Sequence, residues 1–220
     1  MTSRAALPRQ LTVIALGLAV LVVGALIARD GTVPDWEESV FRAINDLPQW
    51  LYRVLWPFQQ LGALVVGPVL AVICVILRRY RLAIALLIAT IAKLLSERIV
   101  KALVTRERPG TSIGPDIKVR GDVSVVGESF VSGHAVLVAA LAGVVTPYLP
   151  TRWRPVPWVL VALVMFGRVY VGAHNPLDVV CGAALGVALA AGINIALGAP
   201  STSWAGSSTA SGEHPAQNRR

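Results

Sequence analysis

The sequence predicts an all-α, polytopic membrane protein of six transmembrane helices, and three observations carry that prediction. Of its 220 residues, 55% are hydrophobic and only 15% charged, with a mean hydropathy of +0.66, a balance that does not suit a soluble domain. The apolar residues fall into six runs, each about long enough as a helix, at 1.5 Å per residue, to cross a hydrocarbon core of roughly 30 Å. Much of the charge sits at the ends of those runs, so the formal net charge of +8 reads as a topology signal and not as a nucleic-acid surface. Cys74 and Cys181 both lie inside apolar runs and read as small core residues, with neither a disulfide framework nor a thiolate metal site indicated.

Taken in order, Arg4 and Arg9 precede an uncharged run from Leu11 to Ala28, either a first transmembrane helix or the apolar part of a signal peptide; its length favours the anchor. From Pro34 to Phe58, Trp36, Val40, Phe41, Ile44 and Leu47 recur at helical spacing among Asp35, Glu37, Glu38, Arg42 and Asp46, an interfacial amphipathic pattern (segment 34–58). Trp36, Trp50 and Trp56 are expected to belt one membrane surface, Trp153 and Trp158 the other. The second span is expected over Leu61–Leu77 and the third over Leu82–Val104, with Arg78, Arg79 and Arg81 between them marking the cytoplasmic side. The fourth (Ser132–Leu149) and fifth (Pro155–Val171) enclose Arg152 and Arg154, which mark that side again, so parity puts both termini in the cytoplasm. The sixth, Pro176–Leu197, carries Gly182, Gly186 and Gly192 among alanines, the composition of a closely packed helix interface. Residues 1–198 then form one membrane domain, and the Ser-, Gly-, Ala- and Thr-rich residues 199–220 a disordered cytoplasmic tail.

One outer loop, 105–131, breaks the charge rule with Arg106, Arg108, Lys118 and Arg120, and its stretch 110–128 is long enough for a lid. Three polar stretches converge on the same face: KALVTRERP from Lys101, SFVSGHA from Ser129 and GRVYVGAHNPLD from Gly167. Pro109 disfavours helical geometry at Arg108 and turns the chain outward, so that Lys101 and Arg108 can face one pocket. Ser132 reads as the N-cap of the fourth span, Gly133 allows close approach to the backbone, and His134 can move a proton near neutral pH. Asn175 reads as the N-cap and Pro176 as the first residue of the sixth span, while Arg168 lies near the outer end of the fifth. Two helix N-termini, three cations and two histidines around one site suit a multiply charged anion, phosphate foremost.

His174 and Asp178 are four apart, which lets the carboxylate take the N–H of one ring nitrogen and leave the other bare as a nucleophile. His134 is then the group that protonates the leaving oxygen and later activates water, and Lys101, Arg108 and Arg168 neutralise the phosphoryl oxygens in the transition state. No carboxylate cluster suits a magnesium ion, so the chemistry is expected to need neither metal nor cofactor. Singly, each group has a plainer role open to it: Asp178 as an N3 cap, His174 as an interfacial histidine, Ser132 as a simple N-cap. Lys93 and Glu97, one turn apart deeper in the third span, read as an intramembrane pair supporting Lys101. The competing reading of that pair, an ion pathway and hence a transporter, needs polar groups in other spans, and the first two spans offer none.

These stretches resemble the signature motifs of the type 2 phosphatidic acid phosphatase superfamily, the lipid phosphate phosphatases that share a helical-bundle fold with vanadium haloperoxidases. A lysine, six residues and Arg-Pro fit Lys101, Arg108 and Pro109; an arginine, five residues, a histidine, three residues and an aspartate fit Arg168, His174 and Asp178. There are two departures. Val131 stands where the family's Pro-Ser-Gly-His has proline, which is expected to loosen the start of the fourth span, and Gly167 replaces a serine, which is expected to weaken one phosphate contact. The resemblance implies a phosphohistidine at His174, His134 as acid, Asp178 as orienter, and phosphate held by Lys101, Arg108, Ser132, Gly133 and Arg168, with the site facing the periplasm or exterior. The implied partners are the bilayer and a lipid phosphate: polyprenyl diphosphate by slight preference, phosphatidic acid or phosphatidylglycerol phosphate. Phosphotransfer to another acceptor is a second reading within the superfamily. Oligomeric state has no signature in the sequence.

Overall fold

The structure is a computed structural model and describes residues 6–199. Among these the chain forms nine α-helices: α1 (Ala6–Ala28), α2 (Asp35–Asn45), α3 (Leu51–Gln59), α4 (Val66–Ile76), α5 (Tyr80–Leu103), α6 (Pro109–Ser112), α7 (Gly133–Val145), α8 (Pro155–Tyr170) and α9 (Pro176–Ala196). Most of the sequence expected in the tail, with His214, lies outside the described residues.

The bundle is built around α7. Its residues are buried almost throughout, from Gly133 to Val144, because α5, α8 and α9 surround it. The close approach of α9 depends on small residues: a Cβ at Gly182 would stand 2.8 Å from the Ser132 carbonyl oxygen, and one at Gly143 would stand 2.6 Å from Ala190 Cβ. Gly182 and Gly186 therefore act as the sequence predicts. Gly192 does not, since no neighbour lies within 4 Å of where its Cβ would be. On the other side of α9 lies α1, with Gly17 against Ala184 and Ala188 and Gly24 against Cys181. The other face of α1, including Leu16, Val23 and Leu26, is exposed, as suits a helix whose solvent is hydrocarbon.

Each of the six apolar runs contains a helix; α5, α8 and α9 follow the expected boundaries closely, while α1 begins at Ala6, ahead of Leu11, and α7 ends at Val145, short of Leu149. By length and apolarity two helices, α1 and α9, can cross a membrane, and a third crossing forms if the bent pair from Leu51 to Ile76 is counted as one. The second run departs from expectation. Its helix starts at Val66, not Leu61, and meets the segment 51–62 at 68°. The corner is a tight turn over Gln60–Gly62, and a Cβ at Gly62 would stand 2.6 Å from His134 Cδ2. The break thus brings backbone against a predicted site residue.

The amphipathic segment folds as two helices, α2 and α3, over one end of the bundle. Phe41 and Leu55 point inward, and Trp36, Trp50 and Trp56 are exposed, as are Trp153 and Trp158. Loop 105–131 is pinned beneath them. Asn45 donates to the Lys118 and Tyr170 carbonyls (2.8 and 3.0 Å), Arg120 donates to the Tyr170 carbonyl (2.6 Å) and lies 4.1 Å over its ring, and Arg42 pairs with Asp116 at 2.9 Å.

Candidate active site

The N-termini of α7 and α9 meet at this end of the bundle, where the Ser132 N–H donates to the Asp178 carbonyl at 3.0 Å. Asn175 and Pro176 open α9 as predicted. Arg108 has extended geometry before Pro109, also as predicted. Ser132 occupies the N-cap position of α7, but its hydroxyl caps nothing: it is buried and has no partner among the described residues. The residue before it, Val131, stands where the resemblance has proline, and Val131 and Phe130 are fully buried against Ala28, Val104, Val136 and Cys181.

Beside these helix ends lies a cavity of about 480 Å³, walled in part by Arg108, His134, Arg168, Gln59, Arg120 and Asp122. Arg108 is steadied by donating to the Ala173 carbonyl at 2.9 Å, and its burial lowers its pKa from the ordinary arginine value. The Nε atoms of Arg108 and Arg168 are buried without an acceptor among the described residues. Two forks and a helix N-terminus at one cavity are suited to an anion.

His174 lies nearby in the α8–α9 connection, only 3% exposed. Burial, opposed by Asp178 and aided by Arg168 and Arg108, pushes its pKa down to about 4, so its ring is neutral at pH 7. The orienting arrangement differs from the expected direct contact. His174 Nδ1 is 3.7 Å from Asp178 Oδ2, too far for a hydrogen bond, and 3.3 Å from Ser129 Oγ, whose hydroxyl donates to that same oxygen. Ser129 is therefore set to relay the restraint: the ring N–H donates to Oγ, Oγ donates to the carboxylate, and Nε2 is left with its lone pair. Asp178 also accepts from the Asn175 N–H at 2.8 Å, so its plainer role as a cap of α9 and its role behind His174 coexist.

Behind Asp178 is a fully buried charge network. Arg106 donates to Asp178 Oδ1 at 3.1 Å and grips Glu37 at 2.5 and 3.1 Å, while Glu37 also accepts from the Leu177 N–H at 2.8 Å. Burial works against the charge on Arg106, but Glu37 and Asp178 more than offset it and its pKa is raised. Sequence reasoning flagged Arg106 through the charge-rule violation but not its carboxylate partners. Glu37 sits in an amphipathic pattern that assigns it to a polar face, and nothing local distinguishes it from half-buried Glu38.

Lys101 pairs with Glu97 at 2.8 Å, and Glu97 also pairs with Lys93 at 2.6 Å, so the predicted intramembrane pair does stand behind Lys101, all three lying on one face of α5. The Glu97 carboxylate rests on the start of α7, where a Cβ at Gly133 would stand 2.5 Å from it. Gly133 thus serves close approach as predicted, with a carboxylate of the chain itself as the neighbour. At the other departure from the resemblance, Gly167, the space beside the backbone is filled by the Gln59 amide. Among the described residues no group of three or more His, Cys, Asp or Glu side chains is arranged to hold a metal ion.

Comparison with known proteins gives the family and the fold. The profile of the PAP2 superfamily matches residues 81–199, more than half of the chain. An undecaprenyl-diphosphatase of Sulfolobus acidocaldarius is 32% identical over 124 residues, covering 54% of this chain and 57% of that relative's length. Two crystal structures share the fold: Aquifex aeolicus LpxE, with a TM-score of 0.67 at 22% identity over 74% of this chain and 98% of that one, and a transmembrane PAP2 type phosphatidylglycerolphosphate phosphatase from Bacillus subtilis, with a TM-score of 0.61 at 23% identity over 81% and 94%.

Proposed function

The chain belongs to the PAP2 superfamily, and on that premise we propose that it is an integral membrane phosphatase that hydrolyses a phosphomonoester or diphosphate of a lipid through a phosphohistidine. The observation that carries this reading is His174, neutral, held at Nδ1 by the Ser129–Asp178 relay and close to Arg108 and Arg168, which with His134 wall the cavity. His174 Nε2 attacks phosphorus; the P–N bond forms as the P–O bond to the lipid breaks, and His134 gives the leaving oxygen its proton. Neutral His134 then takes a proton from water, whose oxygen displaces the histidine from phosphorus, and inorganic phosphate leaves. Arg108, Arg168 and the backbone and hydroxyl at Ser132–Gly133 hold the phosphoryl oxygens. Lys101 supports them from its pair with Glu97.

A lipid substrate is supported by a second, wholly apolar cleft of about 160 Å³ lined by Leu61, Leu70, Val138 and Leu160, among others. Its walls continue those of the polar cavity, since Val138 is one turn beyond His134 on α7 and Leu61 follows Gln60 in the turn before α4. A phosphate in one and a hydrocarbon chain in the other fit a single amphiphile. We place six membrane crossings, at α1, α4, α5, α7, α8 and α9, with both termini cytoplasmic and the site facing the periplasm or exterior; the arginines at 78, 79, 81, 152 and 154 support that orientation. Polyprenyl diphosphate is the favoured substrate, with the matched undecaprenyl-diphosphatase in support, ahead of phosphatidic acid and phosphatidylglycerol phosphate.

The test is phosphate release from a panel of these lipids by the detergent-solubilised protein, with and without a chelator. We expect chelator-insensitive release that His174→Ala abolishes. Release that survives that substitution overturns the nucleophile assignment.

A further inference from the structure

Gln59, the last residue of α3, carries a side chain only 6% exposed, and neither its Nε2 nor its Oε1 has a protein partner among the described residues. A buried amide in that condition is costly unless something else satisfies it. Its surroundings indicate what does. Gln59 lines the same cavity as Arg108, His134 and Arg168, and its amide lies against the backbone of Gly167, the residue before Arg168, so closely that a Cβ there would stand 2.7 Å from Gln59 Cδ. The corner that follows, Gln60–Gly62, is fixed by the contact of Gly62 with the His134 ring. The amide is therefore packed against Gly167, and the chain that carries it is fixed at the next corner.

We propose that Gln59 is a substrate-binding residue, whose Nε2 donates a hydrogen bond to a phosphoryl oxygen lying between Arg168 and His134, with glycine at 167 leaving the space that the amide occupies. This rests on the phosphatase reading above. A donor without charge adds to the hold on the phosphoryl group without a further cation beside the two arginines.

The experiment compares wild type with Gln59→Leu, Gln59→Glu, Gly167→Ala and the Gln59→Leu/Gly167→Ala pair in purified, folded protein. It reads kcat/KM for lipid phosphate and competitive inhibition by inorganic phosphate. Leucine fills most of the same space without a donor, so kcat/KM is expected to fall on the order of 10- to 100-fold, the range for a lost hydrogen bond to a charged group, and phosphate inhibition is expected to weaken with it. Glutamate, of equal size but anionic, is expected to lose more. Gly167→Ala evicts the amide and is expected to resemble Gln59→Leu, with the double variant no worse than either single one. Wild-type kinetics and phosphate inhibition in Gln59→Leu overturn the inference, as do fully multiplicative losses in the double variant. A wild-type protein that releases no phosphate from any lipid, while still binding inorganic phosphate in a Gln59-dependent way, overturns the phosphatase reading and leaves the binding role standing.

Discussion

Replacing Arg106 by methionine removes the cation from a network whose three side chains are all fully buried. Three charge-assisted bonds disappear, two to Glu37 and one to Asp178, and two carboxylates remain in a site that water does not reach. Breaking a buried ion pair from one side costs about 3–5 kcal/mol, most of it the penalty on the stranded charges. Glu37→Gln removes the other end of the stronger contact and leaves Arg106 with Asp178, so about 2–3 kcal/mol is expected. In the double variant only Asp178 is stranded, and the two costs are expected to fall short of their sum by about 2 kcal/mol. The assay is an unfolding titration in mixed detergent micelles for all four proteins, with phosphate release measured on the folded fraction. Because Asp178 restrains His174 through Ser129, kcat is also expected to fall roughly tenfold or more in Arg106→Met without an equal change in KM. Stabilities that add within about 0.5 kcal/mol, or an Arg106→Met protein as stable as wild type, refute the reasoning.

Three further outcomes follow from the same geometry. Ser129→Ala cuts the relay between His174 and Asp178 and is expected to lower kcat roughly 10- to 100-fold with little change in thermal stability; steady-state kinetics that match wild type count against the relay. Glu97→Gln removes the carboxylate at the start of α7 and is expected to tighten inhibition by inorganic phosphate about tenfold, well within the ~4 kcal/mol that unit charges 4 Å apart exert at an effective dielectric of 20; unchanged or weaker inhibition contradicts it. His174 has its folded pKa at about 4, below the ordinary 6.5, so the unfolded chain takes up that proton first as pH falls. Its stabilising contribution is complete above about pH 6.5 and is lost on acidification towards pH 4, roughly 3 kcal/mol in all. An imidazole NMR signal, assigned to His174 by its absence from His174→Gln, is accordingly expected to titrate near pH 4; titration at the ordinary value contradicts the burial argument.

Helix positions were legible because apolar runs, caps and prolines are local signals. Asn175-Pro176 opens α9 and Pro109 keeps Arg108 extended for reasons contained in two adjacent residues. The bend before α4 was not legible, because Leu61 and Gly62 read as apolar and only the His134 ring pressed against Gly62 explains a turn there. The cavity-wall groups Arg108, His134 and Arg168 were legible from spacing and helix ends. The support that Glu97 gives Lys101 was legible from the four-residue spacing on α5. Glu37, Ser129 and Gln59 act across 140, 49 and 108 residues of chain, on Leu177, Asp178 and Gly167 respectively, and no periodicity reaches that far. The glycine at 167 reads in sequence as a lost hydroxyl, whereas in the fold it is room for an amide.

The central claim is that His174 carries the phosphoryl group. Rapid acid-free quenching of the solubilised protein with a ³²P-labelled lipid phosphate tests it most directly. The account predicts a labelled protein that is stable to alkali and labile to acid, formed by wild type and absent from His174→Ala. Turnover in wild type with no such species at any time, or label that persists in His174→Ala, contradicts it.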